Sequence, residues 1–150
     1  MNIENQINLD IKLAMKKKEI DKLAALRSLK SAIILERTKD GRKEISDDIV
    51  LKIITKMVKQ RKDSIELYIK QSRNDLADEE LNQLKHLEPY LPEQLSESEI
   101  RDIVREVVVS NNATSLSDLG RCMSILVNKI QNKADGSLIS KILREELSTP

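Results

Sequence analysis

From Arg42 to Glu88 the chain runs for 47 residues without a glycine or a proline. Turns draw heavily on those two residues, so a stretch of this length is hard to fold as short strands and easy to fold as helix. The rest of the chain agrees. It holds three Gly and three Pro in 150 residues, with two Tyr and no Phe or Trp. Strands favour aromatic and β-branched residues. An all-β fold is therefore excluded, and the expectation is an all-α protein. The apolar fraction is 39 %, but it arrives in periodic blocks, which argues against global disorder.

The blocks read as seven helices. The first, about 3–18, puts Ile3, Ile7, Ile11 and Met15 on one face with Leu9 and Leu13 beside it, behind an N-cap at Asn2. The second, about 20–38, carries Leu23, Leu26, Leu29, Ile33 and Ile34. Lys39-Asp40-Gly41-Arg42-Lys43 reads as a turn, and Ser46 as the cap of a long helix over about 47–73. That helix has the stripe Val50, Ile53, Ile54, Met57, Val58, Ile65, Tyr68 and Ile69. A fourth, about 75–88, shows Leu76, Leu81, Leu84 and Leu87.

Pro89 and Pro92 then bracket Tyr90-Leu91, and proline disfavours helix in the residue before it. This is the clearest boundary in the chain. It divides a four-helix N-terminal domain, 1–92, from a small three-helix C-terminal domain, 93–150, joined by a proline hinge. Ser96 and Glu99 are spaced as a capping box. They open a fifth helix with Ile100, Ile103, Val104, Val107 and Val108 inward; the period of 3.6 argues helix over strand for the valine run. Ser115 or Ser117 caps a sixth, with Leu119, Met123, Leu126, Val127 and Ile130 inward, and Asp135 caps a seventh, with Leu138, Ile139, Ile142, Leu143 and Leu147.

The chemistry of catalysis is sparse. The chain has one His and one Cys, too few for a Cys/His zinc site. His86 lies in a helical leucine pattern, and Cys122 lies on the inward stripe between Leu119 and Leu126, where a core cysteine is the simpler reading. Phosphate-cradling glycine motifs and calcium-loop spacings are absent. No catalytic residue, metal or cofactor is expected. No apolar run approaches about 18 residues, so no membrane is expected as a partner. The opening MNIENQINLDIK lacks the basic and apolar regions of a secretory leader. With a single cysteine, it points to a cytoplasmic protein.

Binding is left to charge, which must be read locally. The formal net charge is +1. Residues 1–92 carry 19 basic and 16 acidic side chains, and residues 93–150 carry 7 and 9. Two basic clusters stand out. On the long helix, Lys52, Lys56 and Lys59 recur at i, i+4, i+7, with Arg61 and Lys62 in a gap of the apolar stripe. Lysine and arginine stems laid on apolar surface, with pairs such as Lys62–Glu66, are a simpler reading of this cluster than phosphate contact. In the C-terminal domain, Gly120-Arg121, Lys129, Lys133 and Asp135-Gly136 gather around the sixth helix and the loop after it. Exposed N–H groups of a helix N-terminus beside two lysines and an arginine would hold an anion; lysines complementing a helix C-terminus would look the same. Gly120 inside a helix costs about 1 kcal/mol against Ala, which close helix or ligand approach, or loose packing, would explain. There are no exposed aromatic platforms for stacking single-stranded bases.

Four stretches in order, Val58-Lys59-Gln60-Arg61-Lys62-Asp63-Ser64-Ile65-Glu66, Leu87-Glu88-Pro89-Tyr90-Leu91-Pro92-Glu93-Gln94-Leu95-Ser96, Asp118-Leu119-Gly120-Arg121-Cys122-Met123 and Lys133-Ala134-Asp135-Gly136, resemble the YqeY-like family. The resemblance runs from about residue 3 to residue 147. That family is similar to the C-terminal tail region of one of the subunits of the tRNA-dependent amidotransferase. It implies an all-α fold with a small three-helix C-terminal domain, and a tail-like surface that meets tRNA at its elbow. It places Gly120, Arg121, Lys133, Asp135 and Gly136 near that surface; Lys129 joins them by helical spacing alone. The expected function is a non-catalytic module binding tRNA or another structured RNA, with Lys52, Lys56, Lys59, Arg61 and Lys62 as a secondary basic surface. An aminoacyl-tRNA-related protein is a further expected partner. Two rivals stand beside this reading: a component of glutamine-dependent carbon–nitrogen ligase activity, and a helical protein–protein scaffold. The acidic balance of residues 93–150 predicts weak RNA binding, or binding helped by a partner protein.

Overall fold

The computed structural model describes residues 2–39, 41 and 44–148. Among these there are seven α-helices and no strand: α1 (Ile3–Lys17), α2 (Ile20–Lys39), α3 (Asp47–Lys70), α4 (Asn74–Leu87), α5 (Glu97–Ser110), α6 (Leu119–Ile130) and α7 (Gly136–Ser148). Short 3₁₀ turns follow α4 (Glu88–Tyr90), precede α6 (Leu116–Asp118) and follow it (Gln131–Lys133). Asp40, Arg42 and Lys43 of the anticipated turn lie outside the described residues. The long helix ends at Lys70, three residues short of the expected Arg73.

Three helix starts are where the capping chemistry puts them, whereas Ser115 caps the Leu116–Asp118 turn and α6 itself follows Asp118 without a side-chain cap. The Asn5 N–H donates to the Asn2 side chain at 2.8 Å, and the Ile49 N–H to the Ser46 hydroxyl at 3.4 Å. At α5 the box is reciprocal: the Glu99 N–H donates to Ser96 Oγ at 3.1 Å, and the Ser96 N–H to the Glu99 carboxylate at 3.0 Å. Such caps each contribute about 1 kcal/mol.

The chain forms two compact units, Met1–Leu91 and Pro92–Pro150. In the first, α1 packs on α2 and α3, α2 on α3 and α4, and α3 on α4. Its core is Ile7, Ala25, Leu29, Ile33, Ile45, Val50, Ile54, Val58, Leu84 and Leu87. Polar ties fix the helices around it. Glu4 of α1 accepts from Lys30 at 3.0 Å and from Arg37, both on α2. The Ile3 N–H donates to Asp47, at the start of α3, at 3.0 Å.

In the second unit, α5 packs on α6 and α7, and α6 on α7. Its core is Ile100, Val104, Val107, Cys122, Leu126, Ile130, Ala134, Ile139, Ile142, Leu143 and Leu147. Cys122 is a buried free thiol within it. Arg101 of α5 reaches Glu145 at 2.7 Å and Glu146 at 2.8 Å on α7.

Five apolar positions expected to face inward do not. Met15, Ile34, Ile69, Leu81 and Val127 are 44–57 % exposed. The cause is rotation. Ala14 lies within about 20° of Ile7 around α1, whereas Met15 lies about 80° away, so Ala14 takes the buried place.

Candidate nucleic-acid interface

The C-terminal cluster resolves into two places. Arg121 stands in the first turns of α6, and Lys129 in its last. Eight residues along one helix separate them by about 12 Å. Helix α7 returns along α6 and also meets the Leu116–Asp118 turn at α6's start, so the α7 N-terminus, at Gly136, sits at the Lys129 end.

At the first place Arg121 is engaged. Its guanidinium donates to the Asn111 carbonyl and to Asp118, each at 3.1 Å. Asp118 also accepts from the Thr114 and Ser115 N–H groups at 2.9 and 3.3 Å. Those two donors, with Arg121, hold its carboxyl below the usual aspartate range, against a smaller opposing effect of burial. This end of α6 is a closed hydrogen-bonded corner.

Gly120 beside it is exposed, and a Cβ placed there would meet no atom within 4 Å. Close packing within the chain therefore does not explain the glycine. Gly120→Ala is expected to stabilise unit 2 by up to about 1 kcal/mol, through helix propensity and a stiffer unfolded chain. Thermal melts should show a midpoint raised by a few degrees; a lowered midpoint would mean the residue is constrained in a way the backbone does not reveal.

At the second place the chain makes a held turn. Gln131 leaves α6 with φ 54° and ψ −130°, a left-handed conformation that costs a residue with a Cβ on the order of 1–3 kcal/mol. The Asn132 carbonyl accepts from Gln94 Nε2 at 2.9 Å, and the Lys133 carbonyl from the Leu95 N–H at 2.8 Å. Gln94 also donates to the Pro92 carbonyl at 2.8 Å. Thus the Pro-Glu-Gln-Leu stretch and the Lys-Ala-Asp-Gly stretch, distant in sequence, are bonded to each other. Ala134 is buried, while the Lys133 side chain is exposed and α7 opens at an exposed Gly136. The Ile139 N–H donates to the Asp135 carbonyl at 3.1 Å. Lys129 lies 3.4 Å from Glu106 of α5, both largely exposed. Sequence pattern marks out neither Gln94 nor Gln131 as a functional residue. Gln94 lies in the motif that carries the resemblance, yet no spacing rule links it to Asn132.

The long-helix cluster is more heavily paired. Lys52 lies 3.3 Å from Asp48, and Lys59 3.1 Å from Asp63. Arg61 turns inward to Glu80 on α4 at 3.0 Å, with 15 % of its side chain exposed, so it joins helices rather than extending a basic face. Lys62 lies 3.9 Å from Glu88, and Glu66 pairs with Lys70 at 3.6 Å, not with Lys62 as the spacing suggested. Lys56 is exposed.

Among the described residues no three His, Cys, Asp or Glu side chains converge as metal ligands, and no helix is long and apolar enough to cross a membrane.

The profile of the family described as Yqey-like protein matches residues 4–147. Several curated relatives carry the name "Altered inheritance of mitochondria protein 41, mitochondrial". The one from Pyrenophora tritici-repentis is 28 % identical over 143 residues, which is 93 % of this chain and 78 % of that protein. The one from Lachancea thermotolerans is 26 % identical over 146 residues, with the same two shares, 93 % and 78 %. The one from Kluyveromyces lactis is 32 % identical over 81 residues, 54 % of this chain and 44 % of that protein; the match spans less than half of its length. These names overturn the cytoplasmic expectation, since the relatives are called mitochondrial. The physical reason is simple: a lone buried cysteine forms no internal disulfide in any compartment, so it does not single out the cytoplasm.

Proposed function

This chain belongs to the YqeY-like protein family, and we propose that it is a non-catalytic accessory module that holds the phosphate backbone of a structured RNA of the tRNA type. The contact is the Lys129–Lys133–Gly136 end of unit 2. The observation that carries this reading is the held turn. Its Asn132 and Lys133 carbonyls are occupied by Gln94 and Leu95, which leaves an exposed lysine side chain and the N-terminal end of α7 on the outside. A helix N-terminus presents unpaired N–H groups and a partial positive charge, suited to phosphate. Fixing the turn in advance lowers the ordering cost of binding. Arg121, about 12 Å away along α6 and bonded to Asp118, is a secondary contact with a neighbouring phosphate. Lys52, Lys59 and Lys62, each beside a carboxylate, and the exposed Lys56 add a weaker surface; Arg61 is not part of it.

Fluorescence anisotropy with bulk tRNA, from about 50 to 200 mM salt, tests the reading. Three to five phosphate contacts at 0.7–0.9 released counterions each give a log–log slope of about −2 to −4. No saturable binding at 50 mM salt would refute direct RNA recognition. A second reading, docking of a protein, is favoured by the large apolar side chains left in solvent on unit 2: Val109 is 76 % exposed and Leu116 51 %. It predicts no tRNA binding and a partner interface lost in Leu116→Ser.

A further inference from the structure

A cleft of about 300 Å³ opens in unit 1 between α1, α2 and the C-terminal end of α4. Its walls include Asp10, Lys22, Lys85, His86, Pro89 and Tyr90. The one carboxylate in it is already occupied. Asp10 accepts from Gln6 Nε2 at 2.9 Å on one oxygen and from the Tyr90 hydroxyl on the other. Its charge stays in the cleft beside two ammonium groups and an imidazole, but its oxygens are taken. Lys85 is exposed, and Lys22 lies 4.0 Å from Glu19, at the limit of an ion pair.

A second hollow of about 320 Å³ shares Lys22 and His86 with it and is otherwise walled by Glu19, Ile20 and Asp21. Lys22 and His86 line both hollows, Glu19 and Asp21 only the second, and Lys85 and Asp10 only the first. Among the described residues the charged groups facing the ring are Lys85 from α4, Lys22 and Asp21 from α2, and Glu19 from the residue before it, with Asp10 and Tyr90 lining the cleft. We propose that this cleft binds the phosphate group of a small molecule, held between Lys22 and Lys85 over His86. A phosphate monoester carries about −1.5 to −2 charges near neutral pH and three strong acceptor oxygens, enough to accept from both ammonium groups and the imidazole at once; a carboxylate has two oxygens. The volume is at the lower end for small-molecule sites.

The same arrangement supplies the readout. Burial, then Lys85 and Lys22, hold the imidazole below the usual histidine range, while Asp21 and Glu19 oppose them. A phosphate seated between the lysines cancels their repulsion and favours the imidazolium. Binding is therefore linked to proton uptake at His86; the phosphate's own second ionisation falls in the same range, so the His86 midpoint, not the affinity, is the readout.

The chain has a single histidine, so its ring signals in proton NMR are unambiguous. The experiment titrates pH with and without inorganic phosphate, at ionic strength held constant with chloride. The expected result is a saturable rise of the His86 midpoint by about half a unit to one unit. K22Q and K85Q should each remove most of the rise, whereas K129E/K133E on unit 2 should leave it intact. Both lysines are at the surface, so folding is preserved. A midpoint that ignores phosphate, or a full rise in the K22Q/K85Q double variant, overturns the site. An equal rise with acetate overturns the choice of phosphate. Neither result bears on tRNA binding by unit 2.

Discussion

Leu126→Ala should unfold unit 2 and leave unit 1 folded. Leu126 is fully buried on α6, within the core shared by α5, α6 and α7. Truncating a buried leucine to alanine costs about 2–5 kcal/mol, through lost transfer energy and the cavity left behind. A core of the size built between Pro92 and Pro150 rarely supplies more than about 3–5 kcal/mol. The lesion is therefore as large as the unit's own stability. Unit 1 has a separate buried cluster, from Ile7 to Leu87, which the substitution does not touch. Hydrogen exchange followed by mass spectrometry reads each helix separately. Peptides from α5, α6 and α7 should lose protection by about thirtyfold or more, at 1.4 kcal/mol per tenfold, with those from α1 to α4 unchanged. Ile142→Val, at about 0.5–1.5 kcal/mol, should show a partial effect in the same peptides. Equal loss in all seven helices would mean that the two units unfold as one.

What could be read in advance was local. The capping pairs Asn2–Asn5, Ser46–Ile49 and Ser96–Glu99 span three residues each, so spacing alone finds them. The inward place of Cys122 follows from its step to Leu126, and both are fully buried. Periodicity does not say how far the buried arc extends, because that depends on the neighbouring helix. Met15 and Val127 sit just outside that arc. Partners distant in sequence were also out of reach. Arg61 reads as a surface cation until Glu80, 19 residues on, draws it inward. The candidate RNA-facing residues share a segment, but a helix is a ruler as well as a face, and α6 puts Arg121 and Lys129 near opposite ends. The bond from the Leu95 N–H to the Lys133 carbonyl, beside that from Gln94 to Asn132, ties the proline-rich stretch to the Lys-Ala-Asp-Gly stretch, which spacing alone does not show.

Reversing both lysines at that turn, K129E/K133E, is expected to lower tRNA affinity by at least about a hundredfold at 100 mM salt. Each reversal removes one phosphate contact and adds one repulsion. Two lost contacts should flatten the salt slope by about 1.4–1.8, and the loss should be similar for different tRNA sequences, because phosphate contacts carry no base readout. Stability should change little. Lys129 faces Glu106 across an exposed pair at 3.4 Å, and such pairs contribute about 0–1 kcal/mol; Lys133 is exposed on the turn. Circular dichroism melts of the variant check this directly. Lys133→Glu alone should give roughly half the effect on a logarithmic scale. Arg121→Glu should give less, because its guanidinium already serves Asp118 and the Asn111 carbonyl. If Arg121→Glu instead abolishes binding while K129E/K133E is neutral, the RNA lies at the other end of α6, and the turn held by Gln94 is there for the fold alone.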